Sequence, residues 1–192
     1  AVVLAKKHNS QLHVLHITTA KELALFDAGP IQDKCITTEA CVHHLWFSNK
    51  DYAALGNQIK CNPAVKYPSD RDALLAALNT GKIDIIATDH APHTWEEKQV
   101  PYEQAPAGLP LVQHALLSLF DHVHAGTLTV DQVVEKTAHN PATRYAIQER
   151  GYIREGYFAD LVLVDPQTPT WVSNENILYQ CEWSPFSGHE FS

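Results

Sequence analysis

The heptapeptide ATDHAPH at residues 87–93 sets the carboxylate of Asp89 beside the imidazoles of His90 and His93. It follows directly on IDIIAT (residues 83–88), the clearest buried-strand run in the chain. In parallel α/β folds, sites form at the carboxyl ends of strands. A carboxylate with neighbouring imidazoles there offers a metal ligand, a general base and a substrate contact within one turn of chain. Away from a strand end the same residues would serve as well for a helix cap or a turn.

A second group lies in LHVLHITT (residues 12–19), where His13 and His16 are three apart on an expected strand. Strand periodicity sends them to opposite faces, so a regular strand cannot aim both at one ion. His16, nearer the carboxyl end, is the ligand candidate, against the plainer reading of a hydrogen-bonded core histidine. His43 and His44 follow the strand-like run KCITTEACV. Adjacent side chains are expected to point apart, which suits orienting a loop as well as binding a metal. Asn62, after the strand candidate QIKC, carries an amide able both to donate to and to accept from a ring amide, although Asn62-Pro63 is also an ordinary turn. His122 and His124 end an amphipathic helix and suit its C-terminal dipole.

The elements that must position these groups alternate. AVVLAKKHN reads as the end of a helix, and LHVLHI as a short strand. KELALF reads as a helix closed by Gly29-Pro30, and KCITTEACV as a strand. Ser48 with Asp51, Ser69 with Asp72, and Thr129 with Gln132 read as capping boxes. The first opens a short helix ended by Gly56, the second a helix with Leu74, Leu75 and Leu78 on its apolar face, and the third VDQVVEKTA. PLVQHALLSLFDHV is a further helix. From Gly151 short strand-forming runs alternate with Gly, Asp and Pro. The expectation is a parallel α/β unit over 1–150 and a small β-rich appendage over 151–192.

Composition narrows the partners. Among 192 residues, 14 are basic and 22 acidic, a formal charge of −8 that disfavours nucleic acid or an anionic membrane as the main partner. No run approaches the roughly 18 apolar residues of a membrane span, and AVVLAKKHNSQ lacks a signal pattern. The four cysteines form no C-x-x-C pair, as expected of reduced thiols in a cytoplasmic protein. The chain has no methionine, so it is expected to be a processed or excised piece.

Taken in order, HITT (16–19), VHHLWF (42–47), CNPAVK (61–66), TDHAPH (88–93), APAGLP (105–110), AHNPATRYAI (138–147), GYIREGYFADLVLVD (151–165) and WSPF (183–186) resemble the dihydroorotases, of the amidohydrolase superfamily of metal-dependent TIM-barrel hydrolases. The 73 residues from His16 to Asp89 and the 27 from Asn62 to Asp89 match the longer, bacterial-type members. Hydantoinases and allantoinases share the barrel but usually lack Asn-Pro together with D-H-A-P-H. The resemblance implies the C-terminal part of a (β/α)8 barrel, about strands six to eight, with part of a β-sandwich. The family's H-x-H pair, its bridging Lys or Asp and its fifth-strand histidine would lie before Ala1.

The resemblance further implies one or two Zn2+ ions per complete site, held in part by His16 and Asp89. Asp89 would also shuttle a proton between water and the ring nitrogen as L-dihydroorotate opens to N-carbamoyl-L-aspartate. Asn62 would hold the ring amide, His93 the substrate carboxylate, and the backbone around Ala107 and Gly108 the rest of the ring. The expected partners are this small substrate, the missing N-terminal portion of the same protein, and further copies in a homo-oligomer. Two other readings stay open: a non-catalytic scaffold that docks a partner, and a hydantoinase- or allantoinase-type hydrolase.

Overall fold

The computed structural model describes all of residues 1–192. Helix α1 (Val2–His8) ends at Asn9, whose φ of 48° is the left-handed cap that asparagine tolerates. Three strands follow: β1 (Leu12–Val14), β2 (Ile36–Cys41) and β3 (Ile85–Ala87). They form one parallel sheet in the order β1-β2-β3, with Leu12 opposite Ile36 and Cys41 opposite Ala87. The fold is α/β with its strands adjacent in chain order.

Between β1 and β2 the expected helix over KELALF is a single 3-10 turn, Glu22–Leu25. Leu23 and Phe26, the buried anchors, are three residues apart, which a three-residue turn puts on one side. The Glu22 carboxylate turns back to accept from the amides of Thr18 and Thr19 at 3.1 and 2.9 Å.

After β2 the chain runs through α2 (Val42–Trp46), α3 (Tyr52–Leu55) and α4 (Pro68–Asn79). Ser48 and Asp51 bond as expected, Asp51 accepting from the Ser48 amide at 2.7 Å. The strand expected over QIKC is instead a 3-10 turn, Gly56–Ile59, that buries Ile59. The box expected at Ser69 and Asp72 is displaced as well. Pro68, with φ pre-set and no N–H to lose, takes the first helical position, so Asp70 becomes the residue that accepts from the Tyr67 and Ala20 amides. Leu74, Leu75 and Leu78 are buried as expected.

Beyond β3 come α5 (Trp95–Lys98), α6 (Ala115–His124), α7 (Val130–Val134) and α8 (Asn140–Arg144). Thr129 and Gln132 cap α7 reciprocally. A π turn at Glu135–His139 joins α7 to α8, widening the coil just ahead of Pro141, which has no N–H to donate. Asp84 fastens the sheet: it accepts from the Thr38 amide at 2.9 Å and pairs with Lys34 at 2.7 Å, both side chains almost wholly buried.

The run 151–169 forms no strand. Leu161, Val162 and Leu163 are 66%, 77% and 100% exposed, because a strand pattern without a neighbouring edge has nothing to pair with. Only β4 (Thr170–Trp171) and β5 (Glu190–Phe191) pair, antiparallel. Val172, Phe186 and Phe191 belong to the main core, where Trp46, Phe47 and Phe186 pack edge-on and stacked.

Candidate active site

Three strand ends converge. After β1 the chain leaves the sheet at His16, in the left-handed region at φ 39°, and Ile17 returns to donate to the Glu39 carbonyl at 2.8 Å. After β3, Asp89 has the same unusual backbone, φ 49°. Left-handed geometry in a side-chain-bearing residue costs of order 1–2 kcal/mol and tends to sit where function demands an orientation. Neither the His16 imidazole nor the Asp89 carboxylate is committed to any hydrogen bond or ion pair of this chain.

Between them lies the end of β2, where Cys41, His43 and His44 are all buried and offer ligand atoms within 4.8 Å of one another. The expectation that His43 and His44 point apart is not met: their rings are 3.9 Å apart. The strand ends at Cys41 and α2 begins at Val42, so the two residues are separated by a helical step rather than a strand alternation. Burial, then the neighbouring His44 and His16, push the His43 imidazole well below its usual range; the Thr88 carbonyl opposes this without reaching hydrogen-bond geometry. His44 is lowered to about 4 by burial, against the pull of the Pro63 carbonyl that its Nε2 meets at 2.9 Å. Burial raises the Cys41 thiol, with the charges of Glu39 and Asp89 adding to it. Cys61 is pushed up to about 11, again by burial first, with Asp89 contributing. The charge of His16 is thus felt at the two histidines of this group, and that of Asp89 at Cys41 and the neighbouring Cys61.

His13 is structural. Its Nδ1 meets Thr37 Oγ1 at 2.8 Å and its Nε2 meets Glu39 at 3.1 Å, bridging β1 to β2. His90 is also structural. Its Nδ1 accepts from the amides of Leu111 and Val112 at 2.9 and 3.2 Å, which requires the Nε2–H tautomer and ties the loop after Gly108 to the end of β3.

The remaining candidates meet around that loop. Gly108, at φ 145°, lies against the Ala91 carbonyl, and a Cβ there would fall 2.3 Å from that oxygen and 3.1 Å from the His93 ring. Its amide donates to the Lys60 carbonyl at 2.9 Å, two residues before the exposed Asn62. Ala107 is exposed beside it. His93 is partly exposed; its Nδ1 pairs with Glu97 at 3.3 Å and its carbonyl accepts from the Trp183 indole at 2.8 Å. The structure therefore gathers His93, Ala107 and Gly108 on one loop pair, with Asn62 joined to it through Lys60.

One residue at the site gave no sequence signal. Lys98 is 1% exposed, and its ammonium donates to the carbonyls of Pro106, Gly108 and Lys60 at 2.9, 3.0 and 3.3 Å. Burial lowers it to about 8. In WEEK it reads as one more surface charge, and the Thr94–Glu97 capping box fixes only the start of α5.

An imidazole and a carboxylate, free of internal partners and held at the ends of the two strands that flank β2, fit a zinc-class ion by their donor chemistry. The chain is 38% identical to the dihydroorotase of Halobacterium salinarum over 98% of its own length and 44% of that protein. It is 34% identical to the dihydroorotase of Methanosphaera stadtmanae, over 100% of this chain and 44% of that one. The chain thus spans less than half the length of the curated relatives it matches. Among solved structures it superposes on the L-hydantoinase (dihydropyrimidinase) of Arthrobacter aurescens with a TM-score of 0.87 at 24% identity, covering 99% of this chain and 43% of that one. Residues 2–184 match the model of the amidohydrolase family, and with nearly its whole length accounted for, the chain belongs to that family.

Proposed function

We propose that this chain is the C-terminal part of a zinc-dependent dihydroorotase, with β1, β2 and β3 as the sixth to eighth strands of a (β/α)8 barrel. Residues 1–150 form the barrel portion and 151–192 contribute part of a composite β-sandwich. The observation that carries the reading is the pairing of His16 and Asp89: both uncommitted, both left-handed, at the ends of two strands that flank β2. The identity to dihydroorotases along almost the full chain supports the substrate.

His16 and Asp89 would hold the ion, which when bound brings the pKa of water towards about 7 and polarises an amide carbonyl. Asp89 takes the proton of the attacking water and passes it to the ring nitrogen as the amide C–N bond breaks. One water adds to L-dihydroorotate, and N-carbamoyl-L-aspartate leaves. A carboxylate held ionised by a nearby cation suits that shuttle. Asn62 pairs with the ring amide, His93 with the substrate carboxylate, and the main chain at Ala107 and Gly108 with the rest of the ring. Lys98 keeps those main-chain groups in place. The remaining metal ligands come from the portion of the protein that lies outside this chain, in a cytoplasmic homo-oligomer.

The test is turnover by the full-length, zinc-loaded protein. Hydrolysis of dihydroorotate in preference to hydantoin and allantoin supports the reading. Preference for either of those overturns the substrate, and no turnover of any of the three, with metal bound, favours a scaffold.

A further inference from the structure

We propose that Cys41, His43 and His44 form a three-ligand site for a soft divalent cation of the zinc–cadmium class, separate from the ion that His16 and Asp89 would hold. The three residues are 0%, 0% and 3% exposed, and their ligand atoms lie within 4.8 Å of one another. With metal–sulfur and metal–nitrogen bonds of about 2.3 and 2.0–2.1 Å, a tetrahedral ion needs ligand separations of roughly 3.5 Å. The difference to be closed is about 1 Å, within the reach of side-chain movement.

The imidazoles point to a missing ligand. Both ring nitrogens of His43 and the Nδ1 of His44 are buried without a hydrogen-bond partner, an arrangement proteins avoid. The Pro63 carbonyl only accepts, so His44 Nε2 carries the proton and Nδ1 presents a bare lone pair. An imidazole whose other N–H is fixed on a backbone carbonyl is the usual state of a metal-ligating histidine. Cys61 lies on the other side of that ring, 3.8 Å from Nε2, with its thiol donating to the same Pro63 carbonyl at 3.2 Å. It supports the histidine and is not a ligand. Softness follows from the thiol: only a cation that bonds strongly to sulfur offsets deprotonation at a buried site, so Mg2+ and Ca2+ are excluded.

Cd2+ is the probe, added to the full-length protein already carrying zinc, which the softer Cd2+ displaces from a thiolate ligand. His16 and Asp89 contain no sulfur, so thiolate-to-cadmium charge-transfer absorption reports only a thiol site, whether or not the protein turns over dihydroorotate. One equivalent should develop the band in wild type. The band should be absent in Cys41→Ser and Cys41→Ala and retained in Cys61→Ser and Asp89→Asn. His43→Gln and His44→Gln should bind at least about tenfold more weakly. Cadmium NMR of the unaltered protein, whose shift separates one-thiolate from two-thiolate and sulfur-free sites, decides without any substitution. No band at stoichiometric Cd2+, a band that survives loss of Cys41, or a two-thiolate shift overturns the site.

Discussion

Gly108→Ala is the sharpest test of how the loop at Gly108 serves the site. A methyl group at this position would lie 2.3 Å from the Ala91 oxygen and 2.9 Å from the Ala91 methyl, with the backbone at φ 145°. Ordinary contact begins near 3.4 Å, so the two segments must part by about 1 Å, and the neighbour that must yield is backbone on the strand-end turn two residues after Asp89. The loop cannot rotate freely to make room. The Gly108 amide is tied to the Lys60 carbonyl, its own carbonyl to Lys98, and the Leu109 carbonyl to the Ala91 amide at 3.1 Å. A misplacement of about 1 Å in a positioning group lowers turnover on the order of 100-fold, equivalent to about 2.7 kcal/mol of transition-state stabilisation. Backbone strain costs a further 1–3 kcal/mol, roughly, in stability. The assay is kcat/KM for dihydroorotate in the full-length protein, beside a denaturant melt that separates the two losses. A variant within about threefold of wild type would show that the loop does not position substrate.

Asp89→Asn should lower kcat by about 10³-fold or more while leaving the melt close to wild type, since asparagine also tolerates the left-handed backbone; activity within about tenfold would rule out the proton shuttle. His93→Ala should act on KM for dihydroorotate, and an unchanged KM refutes the carboxylate contact. Asp84→Ala strands the buried Lys34 ammonium and should cost about 3–5 kcal/mol in urea unfolding; a loss below about 1 kcal/mol would mean that water reaches the pair. His114 is lowered to about 4 by burial, so between about 6.5 and 4 the unfolded chain binds a proton that the folded chain refuses. Its contribution therefore falls as pH drops through that window, at up to about 1.4 kcal/mol per pH unit, and His114→Phe should flatten the profile. The isolated 192-residue chain, with β1 and β3 as open sheet edges and Leu163 and Leu178 100% and 83% exposed, should scatter light as an associated species and show no turnover with added zinc.

The sequence was most legible where one residue type had one physical reason to be there. The strand runs LHVLHI, KCITTEACV and IDIIAT were visible as β-branched and leucine-rich segments flanked by polar residues, and each contains a parallel strand, although β1 and β3 are trimmed to three residues each and β1 is only half-buried. His16 and Asp89 stood out as candidates by their place at strand ends, where the structure sets both, and His13 was separated from His16 by alternation alone. Capping was legible at Thr129 and misread at Ser69, because a proline one position earlier sets the helix start more strongly than a serine can. Illegible from spacing were contacts made across long stretches of chain. Lys98 reaches carbonyls 38, 8 and 10 residues away, and His90 accepts from amides 21 and 22 residues on. Neither has a periodicity to betray it. The run from Gly151 to Asp165 failed for the opposite reason: its alternation is that of a strand, but pairing requires an edge that this chain does not supply.

The site's architecture follows from β2 more than from the residues that would touch substrate. Two left-handed residues of order 1–2 kcal/mol each must be held against relaxation, and the central strand holds both sides. The Glu39 carbonyl takes the Ile17 amide just past His16, and Cys41 pairs with Ala87 two residues before Asp89. On its other arm, Glu39 grips His13, and Asp84 locks β3 to Thr38 through both its side chain and its amide. Fixed on both flanks, the strand ends place an imidazole and a carboxylate around the buried Cys41–His44 group before any ion or substrate arrives. Loosening β2, by Thr38 or Glu39 as much as by Asp84, therefore acts on the orientation of His16 and Asp89 together, which separates a sheet that positions chemistry from one that merely fills the core.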